Sequence, residues 1–182
     1  MKRIFLSISL FPLLALWGCT SQPDYRAAEQ DPETVASVDL DRYYGIWYEI
    51  ARYPNSFQKD CEGVTAEYTQ RADGKITVLN TCHSGDVRTA KGVARIVEGS
   101  DGAKLKVQFA PEWVPCAAGD YWVLDLPEDY STALVGSPSG KYLWVLSRTP
   151  QISDKRYNEI TARVVALGYE TLPLKKTDQS IH

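Results

Sequence analysis

Apolar and polar positions recur along this chain in two different patterns. From residue 43 to 147, short runs rich in apolar, aromatic and β-branched residues are separated by turn residues; between Ser153 and Gly168 the apolar positions fall three and four apart. Short runs bounded by turn residues mark strands, and the three-four spacing marks one stripe of an amphipathic helix. The first run, residues 43–53, is dense in aromatic and β-branched side chains and stops at Pro54, which cannot join a hydrogen-bonded ladder. Trp47, Glu49, Ala51 and Tyr53 share one of its faces, and Ile46, Tyr48, Ile50 and Arg52 share the other. Both faces carry bulk, as expected of a strand covered on two sides.

The next runs are residues 64–69 and 75–80, joined through Ala72-Asp73-Gly74, a strong hairpin signal. Residues 89–97 follow Ser84-Gly85-Asp86, and residues 105–109 follow Gly99-Ser100-Asp101-Gly102. After a proline-containing loop come residues 121–126, 131–135 and 142–147. Eight strands result, with no helix between any of them. Short connections imply antiparallel neighbours, because a parallel pair needs a crossover of about a dozen residues. Closing such a meander removes both exposed edges, so the pattern predicts an all-β fold: an eight-stranded up-and-down antiparallel β-barrel. A two-sheet sandwich would need longer Greek-key connections. One C-terminal α-helix, capped by Ser153 and stopped by Gly168, would lay Tyr157, Ile160, Val164 and Leu167 on the outer barrel wall. Leu172 and Leu174 suit a short last strand.

At 182 residues and 44% apolar content, the chain fits one globular domain. Its net charge of -3 offers no basic field, so nucleic acid is not an expected partner. Lys2 and Arg3 precede an apolar run over 4–17 that is short for a membrane span and reads as a secretory signal. That run ends in Leu16-Trp17-Gly18-Cys19, which resembles the lipobox of bacterial lipoproteins, although Trp17 is bulkier than the small residue usual there. The resemblance implies cleavage before Cys19 and acylation of that cysteine, palmitate included, so that the membrane becomes a partner through the lipid anchor. Each buried methylene contributes about 0.8 kcal/mol to such anchoring. Thr20 stands where an Asp would imply retention at the inner membrane, which points to the cell outer membrane, periplasmic face. The expected organisation is a signal peptide over 1–18, a lipidated polar tether over 19–37, a barrel domain over 38–176 and a tail over 177–182.

Gly45-Ile46-Trp47 on the first strand, eight antiparallel strands, Arg148 closing the last of them and one following helix together resemble a lipocalin. Gly45, Trp47 and Arg148 match the family's barrel-closing motif, in which a guanidinium stacked on an indole plugs one end. The agreement covers residues 38–175 and is nearest the bacterial outer-membrane lipoprotein lipocalins, relatives of apolipoprotein D and plant temperature-induced lipocalins. The family's Thr-Asp-Tyr motif is met only in part by Asp129-Tyr130-Ser131-Thr132. The resemblance implies a carrier of fatty acids or lysophospholipids that stores or transports lipid for envelope maintenance, under stress among other conditions.

An eight-stranded barrel is just wide enough to hold one small ligand. With Trp47 setting the inward phase, Glu49, Ala51 and Tyr53 would also face in. Alternation and the family pattern make Ala66 and Tyr68, Val78 and Asn80, then Leu105, Val107 and Phe109 ligand-binding candidates, together with Tyr121 and Val123. Counting back from Arg148 in steps of two gives Leu146, Trp144 and Tyr142, of which Trp144 is the ligand-binding candidate. Such a lining suits an acyl chain with its polar head at the mouth. A lone buried carboxylate is costly, so Glu49 is expected to pair with a Lys, Arg or Tyr inside rather than to bind a head group. Asn80 would orient a head group or hold a water.

Three cysteines remain beyond Cys19. Cys61 opens the second run and Cys82 closes the third, so a Cys61–Cys82 disulfide is the first choice, with Cys116 free and pairings through Cys116 left open. Alternation puts Cys61 and Cys82 on opposite faces unless Gly63 breaks the phase as a bulge. A thiol-dependent lipocalin-type enzyme using Cys116 is the competing class, but neither His83 nor His182 is placed as a base. Gly136-Ser137-Pro138-Ser139-Gly140 has proline where a nucleophile elbow needs serine. Cys82-His83 lacks the spacing of a metal site. No enzyme activity, cofactor or metal is expected; an interaction module with a filled barrel is the third class, and a homodimer stays open.

Overall fold

A computed structural model describes residues 22–182; the signal segment 1–18 and Cys19 lie outside the described residues. The described chain runs α1 (Leu40–Tyr43), β1 (Gly45–Arg52), β2 (Glu62–Gln70), β3 (Ile76–Ser84), β4 (Asp86–Ile96), β5 (Lys104–Gln108), β6 (Gly119–Asp125), β7 (Thr132–Gly136), β8 (Leu143–Ser147), α2 (Asp154–Ala166) and β9 (Lys175–Lys176). Each strand from β1 to β7 pairs antiparallel with the next, and β1 also pairs with β8, which closes an eight-stranded barrel. β9 lies outside it on β1, through Ala51↔Lys176 and Arg52↔Lys175. The last strand is therefore this lysine pair and not Leu172 and Leu174. Leu172 is fully exposed in the preceding turn, and Leu174 packs beside the helix.

Two apolar layers share the barrel wall. Inside, Trp47, Tyr43, Ile76, Leu105, Val123 and Val135 pack together towards one end. Outside, Ile160, Val164 and Leu167 cover Ala51, Leu124, Leu134, Leu143 and Val145, as the helical stripe requires. The Ser153 hydroxyl accepts from the Arg156 amide at the helix start. β7 is buried at all its positions because it lies between the two layers.

β1 contributes to both layers by means of a bulge. Its register against β8 shifts between Glu49 and Ala51, pairing Glu49↔Leu146 and then Ala51↔Val145. One extra residue inverts the alternation. Trp47 and Glu49 face inward as expected, whereas Ala51 and Tyr53 join the outer layer beneath the helix and Arg52 comes round to the side of Glu49. The expectation that Ala51 and Tyr53 line the interior is thereby corrected. The helix also covers less of β1 than its outward face suggests. Ile50 lies in the helix layer, but Ile46 is 49% exposed and Tyr48 packs edge-on against His182.

The closed end is built around Trp47. Its indole N–H donates to the Tyr43 carbonyl at 2.8 Å, and the Arg148 guanidinium lies 3.8 Å over its ring while donating to the carbonyls of Ile46 and Arg42. Gly45 holds φ +93, a conformation that disfavours any side chain, with an Arg148 nitrogen 3.6 Å from where a Cβ would stand. The partly matched loop belongs here too. The Tyr130 hydroxyl accepts from the Asp39 amide at 2.8 Å, and Arg42 lies 4.1 Å over the Tyr130 ring.

Within the stretch expected to be a tether, residues 22–37 lie strapped to the barrel. The Tyr25 amide donates to Gly140, the Arg26 guanidinium to the Leu167 carbonyl and the Val35 amide to Val123. The Gln22 side chain donates to the Pro54 carbonyl.

Candidate ligand-binding site

Above the Trp47 plug lies a cavity of about 250 Å³. Its wall is formed by Val64, Ala66 and Tyr68 of β2, Val78 and Asn80 of β3, Val107 of β5 and Tyr121 of β6. Trp144 and Leu146 of β8, with Phe109 and Tyr142 beyond strand ends, complete it. Of the candidates named from alternation, Ala66, Tyr68, Val78, Asn80, Val107, Phe109, Tyr121 and Trp144 are in this wall. Leu105 and Val123 also face in, but lie in the packed core around Trp47. Alternation tells which face a side chain takes; it carries no information on depth along the barrel axis. Phe57, Gln58, Ala110 and Ala117 join the wall from loops, where no periodicity could announce them. β4 contributes space instead of side chains, since a Cβ on Gly92 would come within 2.9 Å of the Phe109 ring.

The cavity floor carries a chain of phenols. The Tyr121 hydroxyl stands 2.8 Å from that of Tyr43 and 2.8 Å from that of Tyr68. Burial raises the pKa of all three, with Tyr68 pushed up to about 12, because a phenolate has no solvent here. The floor is neutral at ordinary pH.

Towards the open end, Glu49 is buried with both oxygens satisfied. Oε1 accepts from Arg52 and the Thr177 hydroxyl, and Oε2 accepts from the Gln58 amide at 2.6 Å. Gln58 in turn accepts from the Trp144 indole at 3.0 Å, and Arg52 also donates to the Gln58 and Cys61 carbonyls. This ion pair ties the loop after β1 to β1 itself and to the segment after β9. Asn80 differs: its amide makes no hydrogen bond to another described residue and borders the cavity.

The segment 177–182 closes the barrel seam between β1 and β2. β1 and β2 pair from Gly45↔Tyr68 to Tyr48↔Thr65 and then part. The Gln179 amide bridges the gap, donating to the Glu49 carbonyl at 2.8 Å and the Val64 carbonyl at 2.8 Å, while the Gly63 amide donates to Asp178. Gly63 has φ +52, and a Cβ there would sit 2.1 Å from Ile181, so only glycine fits beneath this segment.

The same glycine resolves the cysteine phase. The β2–β3 register shifts between Glu62 and Thr65, and Cys61 and Cys82 form a disulfide with their Cα atoms 5.2 Å apart. Cys116 is free and exposed. His83 and His182 sit ring to ring at the seam, and among the described residues no group of three His, Cys, Asp or Glu is placed to hold a metal.

A lipocalin-like domain model matches residues 38–179, the span of the barrel, its helix and the seam-closing segment. The chain belongs to the lipocalins. This lipocalin is 42% identical over 158 residues to temperature-induced lipocalin-1 of Arabidopsis thaliana, covering 84% of this chain and 85% of that protein. It is 39% identical over 175 residues to the outer membrane lipoprotein Blc of Vibrio cholerae, covering 94% and 95% respectively. Apolipoprotein D of Mus musculus is 32% identical, with 82% of this chain and 81% of that one covered. Among solved structures, insecticyanin from Manduca sexta superposes with a TM-score of 0.66 at 20% identity over 86% of this chain and 87% of that one, which bears on the fold alone.

Proposed function

We propose that this lipocalin is a non-enzymatic carrier that binds single-chain lipids, a fatty acid or a lysophospholipid, and stores or moves them for envelope maintenance. The observation that carries the reading is the cavity wall: mostly apolar and aromatic from Val64 to Leu146, with Asp120 paired to Lys106 and Asn80 as a polar group free to meet a ligand. At about 250 Å³ it lies just under the span of about 300–1,000 Å³ typical of small-molecule sites. That size suits a stretch of acyl chain, leaving a head group at the mouth. Ala66, Tyr68, Val78, Val107, Phe109, Tyr121 and Trp144 would hold the chain and Asn80 the region below the head.

The carrier would work from the periplasmic face of the outer membrane, anchored through acylated Cys19. The lipobox-like residues 16–19 and the likeness to a protein named an outer membrane lipoprotein support this. Cys19 precedes Gln22 by three residues, at most about 11 Å of chain, and Gln22 is bonded to Pro54 in the loop that leaves β1 at the open end. An anchor there would turn the mouth towards the bilayer that supplies the lipid.

Delipidation of the purified protein with mass spectrometry of the extract, then titration with lysophosphatidylcholine and palmitate, tests the carrier role. Recovery of no lipid together with no binding would refute it. Labelled palmitate should enter the wild-type protein and not the Cys19→Ser variant; equal labelling of both removes the anchor.

A further inference from the structure

The polar chain at the cavity floor has one hydrogen too many. Tyr43, Tyr121 and Tyr68 bring one hydroxyl hydrogen each, and the two contacts that link them use one apiece. None of the three oxygens has another hydrogen-bonding partner among the described residues. Whichever way the chain is oriented, one hydrogen is uncommitted. Tyr43 is walled off from the cavity, packed 4.8 Å from the Trp47 ring and 5.5 Å from Tyr68, whereas Tyr68 and Tyr121 form part of the cavity wall. A partner for the surplus donor can therefore come only from the cavity side, and a buried donor left unpaired is destabilising.

We infer that the deep end of this cavity is a subsite for an uncharged oxygen, a ketone or hydroxyl carried on the buried end of an alkyl or acyl chain, with either Tyr68 or Tyr121 as its donor. The inference rests on the carrier reading and narrows it. A plain methyl terminus reaching the floor leaves the hydroxyl hydrogen unpaired. A carboxylate fares worse, since a buried charge needs more than one neutral donor and the Arg148 guanidinium is committed to Trp47 and the backbone at the closed end. A ketone accepts the one hydrogen on offer. A hydroxyl accepts it and can also give its own to a spare phenol lone pair. The raised phenol pKa values agree with this, as they keep the floor a neutral donor.

The test compares decane with 2-decanone as displacers of N-phenyl-1-naphthylamine from the delipidated full chain carrying Cys19→Ser. The readout is the affinity ratio of ketone to alkane, in which general effects on the cavity cancel. The ratio is expected to fall about fivefold in Tyr68→Phe/Tyr121→Phe, the loss of one neutral hydrogen bond, and to stay within about twofold in Tyr68→Phe alone, where Tyr121 still donates. An unchanged ratio in the double variant overturns the inference. Should that variant not fold, the carbonyl infrared band of 2-decanone bound to the Cys19→Ser protein decides. A shift to lower wavenumber than in hexane is expected, and an unshifted band overturns the inference. Displacement without discrimination removes this subsite and leaves the carrier role standing; failure of decane, 2-decanone and lysophosphatidylcholine alike removes both.

Discussion

The Glu49–Arg52 pair separates a structural charge from a ligand-binding one, and Glu49→Gln tells them apart. The substitution keeps the shape of the side chain and removes its charge. Arg52, its side chain only 14% exposed, then keeps the Gln58 carbonyl at 2.9 Å and the Cys61 carbonyl at 3.3 Å but loses its counter-ion. Stranding one member of a buried pair costs about 3–5 kcal/mol. The two carbonyls and the residual exposure of Arg52 bring this site to or just below the bottom of that range, at about 2–3 kcal/mol. For a domain of this size that corresponds to a fall in Tm of roughly 4–12 °C. Adding Arg52→Met removes the stranded charge, so the double variant should be more stable than the sum of the two singles by at least about 1 kcal/mol. Urea unfolding followed by tryptophan fluorescence measures all four proteins. The reasoning is refuted if Glu49→Gln unfolds within about 0.5 kcal/mol of wild type while losing lysophosphatidylcholine affinity, since the carboxylate would then be serving the ligand.

The remaining predictions concern the bridge, the plug and the floor. Replacing Cys61 and Cys82 by serine opens a loop of 21 residues and should lower stability by about 3 kcal/mol by chain entropy, read as a shift of the guanidinium midpoint; a loss under about 1 kcal/mol contradicts it. Arg148→Ala removes the stacking on Trp47 and two hydrogen bonds to carbonyls, for an expected loss of about 2 kcal/mol, and Arg148→Lys should restore less than half because an ammonium lacks the planar fork. Tyr43, Tyr68 and Tyr121 hold their protons more tightly folded than unfolded. The stability they lend is thus complete below about pH 10, where unfolded tyrosine ionises, and is lost as pH rises towards about 12, where folded Tyr68 does. Phenolate absorbance should show these phenols un-ionised at pH 10.5 in the folded protein; complete ionisation there with the barrel intact contradicts the buried floor.

Apolar runs and turn chemistry were enough to read eight strands, their antiparallel order and the closure, because most connections are short and no helix separates any two runs. The helix was equally legible from Tyr157, Ile160, Val164 and Leu167. The phase of the interior was legible only as far as the ladder is regular. The bulge between Glu49 and Ala51 involves neither glycine nor proline, so nothing marks it, and Ala51 and Tyr53 fall on the wrong side when counted from Trp47. The bulge at Gly63 does leave a sign, a glycine inside a strand beside a cysteine that needs to change face. Residues 57–58 reach the site from a loop and 177–179 reach Glu49 and the seam beside it, where side-chain position depends on tertiary contacts and not on period. The split between plug and cavity, which leaves Leu105 and Val123 below the floor, depends on how far Trp47 and Tyr43 fill the barrel, a matter of volume that no spacing records.

The seam closed by Gln179 has a consequence for how the protein is made. Its amide joins carbonyls of residues 130 and 115 positions earlier in the chain. At a synthesis rate of about 5–20 residues per second, β1 exists for roughly 6–26 s before the segment that seals it against β2. Until residues 177–182 dock, the β1–β2 ladder keeps a lateral slit beside the cavity that no strand pairing closes. Closure of this seam thus follows every strand pairing of the barrel, and a polypeptide fused after His182 would stand directly over the slit.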